Sequence, residues 1–189
     1  LPADGMDLLV IAQEEGAGSA SDAVAFFEFA FTRAASAGRR RVTLAHRGGA
    51  DAEWLRAATA ASRRHPALDF EDQLTGHVAM QLARSPHRFE SLVVGPVHGE
   101  ILGDLGVGLA GGLGWVSGAY HGSKGVVFTT VHGTAARLAG TDRVNPAAMI
   151  LAAAEMLEFL GELRPAGLLA GALERALARE ALVQDGAQG

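Results

Sequence analysis

Residues 42–94 read VTLAHRGGADAEWLRAATAASRRHPALDFEDQLTGHVAMQLARSPHRFESLVV, and the alternation within this stretch decides the fold class. Val42-Thr43-Leu44 is a short apolar run with a β-branched centre, the signature of a buried strand. Residues 51–64 carry helical spacing, and His65-Pro66 ends that helix because a proline pushes the preceding residue out of the α region. Leu68 to Glu71 alternates in and out like a short strand. Thr75 to Arg84 is helical again and breaks at Ser85-Pro86. Leu92-Val93-Val94 is a second apolar strand, closed by Gly95-Pro96. Strands alternating with helices at this spacing form an α/β protein.

The same grammar extends outward. Upstream, Leu8-Leu9-Val10-Ile11 reads as a strand. Ser21 and Asp22 open a helix that places Val24, Phe27 and Phe31 on one face, and Gly38 stops it. Downstream the composition shifts. Gly99 to Gly114 is dense in glycine, Val126-Val127-Phe128 is a strand, and residues 129–145 form a long loop with about one turn of helix. Asn145-Pro146 starts a helix with an asparagine cap and a proline in the first turn. That helix runs to about Leu160, where Gly161 ends it. A last helix covers about residues 166–182. These boundaries give a first domain over 5–115, a second over 116–183, and a tail, 184–189, without fixed structure.

Charge and composition exclude several classes. The 189-residue chain is 49% hydrophobic and carries a net charge of −5. Nucleic acid demands a concentrated basic surface, whereas the only basic run, Arg39-Arg40-Arg41, sits at a predicted helix end that favours positive charge. The absence of cysteine excludes disulfides, thiol nucleophiles and thiolate-bound metals. No apolar run reaches the roughly 18 residues of a membrane helix, and no signal peptide is visible. A cytoplasmic location, with neither nucleic acid nor membrane as partner, is expected. A single tyrosine, Tyr120, and a single lysine, Lys124, lie close together in one glycine-rich stretch.

Between residues 42 and 146 a series of motifs resembles the isocitrate/isopropylmalate dehydrogenases, the β-decarboxylating dehydrogenases. His65-Pro66-Ala67-Leu68-Asp69-Phe70-Glu71-Asp72 is similar to that family's strand entry. Ala79-Met80-Gln81-Leu82 and Ser85-Pro86-His87-Arg88-Phe89 resemble the helix and turn that follow. Gly99-Glu100-Ile101-Leu102-Gly103-Asp104 resembles its metal segment, and Gly111-Gly112-Leu113-Gly114 the loop after it. Val131-His132-Gly133-Thr134-Ala135, Ala139-Gly140 and Asn145-Pro146 resemble its adenine-nucleotide loop. Val42 to Arg47 resembles the strand ending in its catalytic lysine. The similarity runs through about residues 6–162. It implies an isocitrate/isopropylmalate dehydrogenase-like mixed sheet flanked by helices, here lacking the family's N-terminal third.

The resemblance also implies a chemistry. In the family a hydride passes from a hydroxyl carbon to NAD(P). A divalent metal, Mg²⁺ or Mn²⁺, held by three aspartates stabilises the enolate formed on decarboxylation, while a lysine and a tyrosine move protons. Here the pattern breaks. The lysine position is Arg47, which stays protonated above pH 12 and cannot act as a base; the adjacent His46 points the other way along a strand. The tyrosine expected after Glu14-Glu15-Gly16 is missing. Glu100 and Asp104 share one helix face as candidate metal ligands, but the third aspartate aligns with Gly76, with His77 beside it as a substitute. Pro96 and His98 replace an asparagine and an aromatic. Thr129, Ala136 and Arg137 replace acidic and proline positions around the nucleotide loop, while His132, Gly133, Thr134, Ala135 and Asn145 remain as cofactor-binding candidates.

The expected outcome is the family's fold without its reaction: a non-catalytic protein that forms a homodimer, or a hetero-oligomer with a family subunit, and retains nucleotide binding. Two alternatives stand beside it. One is an oxidoreductase completed in trans or using His77, His98, Glu100 and Asp104 for other metal chemistry. The other is a fragment of a longer family enzyme, since Leu1 is not an initiator. Gly103 and Gly106 on the helix 99–110, with Ile101, Leu102, Leu105 and Leu109, are expected to form a dimer face. Strand 126–128 and helix 146–160 are expected to expose apolar surface that a partner covers.

Overall fold

A computed structural model describes residues 6–13 and 20–186; the segment Glu14-Glu15-Gly16-Ala17-Gly18 and the last three residues of the tail lie outside the described residues. The chain divides into two compact units, residues 3–109 and residues 110–189.

The first unit is a parallel sheet between two helical layers. Its strands are β1 (Leu9–Ala12), β2 (Arg41–His46), β3 (Asp69–Leu74) and β4 (Ser91–Val94), in the order β1-β4-β2-β3. Every pairing is parallel: Leu9 opposes Ser91, Val42 opposes Ser91, and Arg41 opposes Asp69. The crossovers are helices α1 (Ala20–Ser36), α2 (Ala52–Ser62) and α3 (Thr75–Arg84), with α4 (Pro96–Leu109) after β4. Parallel and antiparallel pairings both occur in the protein, but in separate sheets, because an antiparallel hairpin belongs to the second unit.

Strand alternation sorts the side chains between two cores. Ile11, Val42, Leu44 and Val93 face Phe27, Ala30, Phe31 and Ala34 of α1 and Ala58 and Ala61 of α2. Ala45, Leu92 and Val94 face Val78 and Leu82 of α3 and Leu102 of α4. Trp54 joins the first core, stacking on Phe26 with ring centroids 5.3 Å apart. Gly38, at φ +70°, turns the chain from α1 into β2, a conformation that glycine adopts without a Cβ penalty.

The face of α4 expected to build a dimer is used differently. Leu102, Leu105 and Leu109 pack into the second core, and Gly106 lies against Leu8 and Val10. Only Ile101 of that apolar set stays exposed, at 64%. Gly103 stays open, while close approach at Gly106 is spent within the chain. Gly99 shows it best: a Cβ there would stand 2.8 Å from the Cβ of Ala12.

The second unit pairs β5 (Ser117–Gly122) with β6 (Gly125–Thr130) in an antiparallel hairpin, backed by α5 (Ala147–Phe159) and α6 (Leu163–Gly186). The strand β5 was not expected from sequence, because its glycines at 118 and 122 hide the alternation. Asn145 caps α5 as expected, its Oδ1 accepting the Ala147 N–H at 2.9 Å. Helix α6 is longer at both ends than expected, since Pro165 sits in its first turn, where no N–H is needed, and its end takes in residues 184–186 of the expected tail. Among the described residues no helix is long and apolar enough to cross a membrane.

Replacing Gly99 with valine forces Ala12 and the start of α4 apart. Urea unfolding is expected to show a loss of about 1–3 kcal/mol, the usual cost of overpacking. Gly103→Ala, where an added Cβ meets nothing within 4 Å, is expected to be neutral or to gain up to about 1 kcal/mol from better helix propensity.

Candidate functional site

In a parallel α/β sheet the carboxyl ends of the strands are where ligands bind. The first unit has a cleft of about 400 Å³ at that end, lined by His46, Arg47, Leu74, Thr75, Gly76, Ala79, His98, Ile101 and Leu102. Arg47 and Gly76, the positions where the resemblance places a lysine and an aspartate, both line it. Pro96 opens α4 and stands two residues before His98 on the same helix.

Three polar residues of the cleft, His46, Arg47 and Thr75, are engaged within the chain. Arg47 grips Asp51: its Nε and Nη2 donate to Oδ1 at 3.0 and 2.6 Å, and its backbone N–H donates to Oδ2 at 2.7 Å. The guanidinium holds the Asp51 carboxyl below the usual carboxylate range, burial opposing it, and the carboxylate raises Arg47 in return. A guanidinium so paired is neither a base nor a free cation.

His46 also lines the cleft, contrary to the expectation that it points away. Strand pairing ends at His46, opposite Leu74, and the chain turns at Arg47, with φ −99° and ψ 20°, so strict alternation stops there. The His46 ring is fixed on both sides. Its Nδ1 accepts the Gly48 N–H at 2.9 Å, and its Nε2–H donates to Asp72 Oδ2 at 3.0 Å. Sequence spacing missed this pair; the cue was that His46 and Asp72 fall near the ends of adjacent strands, which becomes visible only once β2 and β3 are known to be parallel neighbours.

Glu100 and Asp104 share one exposed face of α4, as their spacing implies, and neither lines the cleft. His77, the possible substitute ligand, is exposed on α3. Among the described residues no three histidine or carboxylate groups gather closely enough to hold a metal ion. Two carboxylates alone do not fit Mg²⁺ or Mn²⁺, which need near-octahedral oxygen donors, so no step is derived through a metal.

The second unit carries the nucleotide-loop candidates. His132, Gly133, Thr134 and Ala135 follow β6 on a largely exposed loop, and Ala135 takes the left-handed conformation at φ 48°. His132 Nδ1–H donates to the Gly133 carbonyl at 2.9 Å, and Thr130 Oγ1 donates to the His132 carbonyl at 3.3 Å. His132 therefore offers Nε2 outward as an acceptor. Asn145 spends Oδ1 on capping α5 and has its NH₂ left to donate.

The profile of the isocitrate/isopropylmalate dehydrogenases matches residues 12–188. The chain belongs to that family. Among its relatives, a probable mitochondrial NAD isocitrate dehydrogenase of Drosophila melanogaster (its alpha chain) is 34% identical over 137 residues, 70% of this chain and 36% of that protein. A regulatory polypeptide of the mitochondrial NAD isocitrate dehydrogenase of Dictyostelium discoideum is 33% identical over 77% of this chain and 42% of that protein. The crystal structure of isocitrate dehydrogenase from Methylococcus capsulatus superposes with a TM-score of 0.73 and 35% identity, over 78% of this chain and 45% of that one. The chain thus spans less than half the length of each of these family members.

The acid side of the stability profile follows from the depressed carboxyls. Asp51 is lowered mainly by Arg47, Asp7 by Arg39, and Glu90 by the Arg40 backbone N–H. A carboxyl whose folded value lies below its unfolded one stabilises the fold above the unfolded value, near pH 4, and loses that contribution as pH falls through the folded value. Urea midpoints are expected to hold between pH 7 and 5 as far as these groups are concerned and to fall below about pH 4. Asp51→Asn is expected to flatten that acid limb measurably.

Proposed function

We propose that this chain is a non-catalytic member of its family that works by associating with another family subunit. The observation that carries the reading is the state of Arg47: where proton transfer would need a titratable base, a guanidinium is bound to Asp51 through Nε and Nη2, with the Arg47 backbone N–H donating to the same carboxylate. Losing one general acid or base costs about 10²–10⁴ in rate, and the position expected to supply a metal-binding carboxylate is Gly76. The name of the Dictyostelium relative, which calls it regulatory, is consistent with a polypeptide whose role is not turnover.

Association is supported by surface chemistry. In the second unit Val127 of β6, Met149 and Phe159 of α5, Leu160 just after it and Leu163 of α6 are each more than half exposed. In the first unit Leu74, Met80 and Ile101 are exposed on and beside the cleft. Scattered exposed apolar residues are ordinary, but this many on short elements need a cover. Nucleotide binding at His132, Gly133, Thr134, Ala135 and Asn145 belongs to the same reading, through backbone N–H groups of a loop that a phosphate or ribose can reach.

A second reading, an NAD(P)- and metal-dependent oxidoreductase completed in trans or by further chain of its own, is favoured by the length comparison, since these relatives are more than twice as long as the matched region. One experiment separates the two. Purified chain is assayed with isocitrate and 3-isopropylmalate, NAD or NADP, and Mg²⁺ or Mn²⁺, alone and mixed with a full-length family dehydrogenase, while sedimentation follows assembly. The expected result is no turnover alone and an oligomer at micromolar concentration. Hydroxy-acid oxidation by the chain alone, or a compact monomer that binds no other family member, refutes the proposal. In a thermal-shift panel, NAD or NADP at 100 times its dissociation constant would add about 2.7 kcal/mol.

A further inference from the structure

The His46 side chain is buried, yet it is neither a free base nor core filler. It joins three elements beside the cleft. Nε2–H donates to Asp72 of β3, Nδ1 accepts from Gly48 in the 3-10 turn 48–51, and the His46 carbonyl accepts the Thr75 hydroxyl at the first residue of α3, at 3.1 Å. Gly48 is held at φ +73°, and a Cβ added there would stand 3.6 Å from Leu74 Cδ2, a residue that lines the cleft. The turn's other end is fixed independently, by Arg47 on Asp51.

We propose that His46 is a pH-operated latch on the cleft rim: its neutral ring holds Gly48, and its charged ring releases it. The chemistry is forced by donor and acceptor roles. A backbone N–H can only donate, so the latch exists only while Nδ1 keeps its lone pair. A second proton enters at that nitrogen, and two N–H groups then face each other across what was a 2.9 Å bond. The bond to Asp72 survives and strengthens, because it becomes charge-assisted. The ring therefore stays with β3 while the turn lets go, and the glycine end of 48–51 moves relative to Leu74 while the Asp51 end stays.

The charged neighbours favour this partition. From β3, Asp72 faces Nε2 and stabilises the charged ring. From the turn, Asp51 is held low first by its hydrogen bond to Arg47 and least by the charge on His46, while the Arg47 guanidinium repels a charged ring. From α3 the contact is the neutral Thr75 hydroxyl, and β4 presents only Ser91, Leu92, Val93 and Val94. From α4, His98 lines the same cleft. Whatever occupies this cleft would be held differently with the ring neutral and with it charged. The inference does not depend on whether the chain is catalytic.

Solution NMR on the full chain tests it. Side-chain nitrogen shifts at pH 8 are expected to show His46 protonated at Nε2 alone. Between pH 8 and 5 the exchange protection of the Gly48 amide, corrected for intrinsic exchange, is expected to fall at least about tenfold with the midpoint of the His46 ring. The Arg47 amide, bound to Asp51, is expected to keep its protection. Asp72→Asn should move both midpoints together to lower pH, and His98→Gln should leave the Gly48 step in place. The proposal is overturned if His46 carries its proton on Nδ1 at pH 8, if the ring stays neutral to pH 5, or if Gly48 protection holds while the ring titrates. It is equally overturned if the step survives in His46→Gln.

Discussion

β4 pairs with β1 on one edge and β2 on the other, and all four of its residues are buried. With no contact to water on either face, Leu92 and Val94 must meet apolar partners on one side and Val93 on the other, and the backbone polar groups between them must find partners in the ladders. That double burial is why helices cover both faces, why α4 is drawn down until Gly99 touches Ala12, and why β2 ends where a cleft can open. The position of every candidate side chain in the first unit follows from it.

The strands and helices around this centre were legible because their period and punctuation agree. Val42, Leu44 and Leu92 are apolar runs, His65-Pro66 and Ser85-Pro86 are breaks with a steric cause, and Asn145 is a cap with a hydrogen bond to show for it. β5 was not legible, because glycines at 118 and 122 carry no side-chain pattern. The orientation of His46 was not legible either: alternation holds inside a ladder and fails at its last pair, where functional groups at the ends of parallel strands tend to sit. The length of α6 escaped for a local reason, since Pro165 looks like a breaker and is harmless in a first turn.

The site itself was legible in part. Spacing placed Glu100 and Asp104 on one helical face, and they lie there, exposed and away from the cleft. Resemblance picked out Arg47 and Gly76, which do line a common cleft. What one-dimensional reading could not supply is where the charges go. Arg47 is consumed by Asp51 four residues on, and His46 by Asp72 on the next strand, so the cleft keeps the shape of a binding site while its strongest polar groups face each other. The same hydrogen bonds tie β2 to β3 and Arg47 to the turn that follows it.

The strand order has a further consequence, for synthesis. β4 is made last of the four strands, yet it lies between β1 and β2, so Leu9 must wait for Ser91 before it gains a neighbour. β2 and β3 can pair early, because they are adjacent in both chain and sheet, but among the described strands β1 finds its neighbour only once β4 has been made. Contacts of such long separation are slow to form, and the exposed strand edges they leave are where aggregation begins. A nascent chain that stalls before residue 91 would thus be the form most in need of a chaperone.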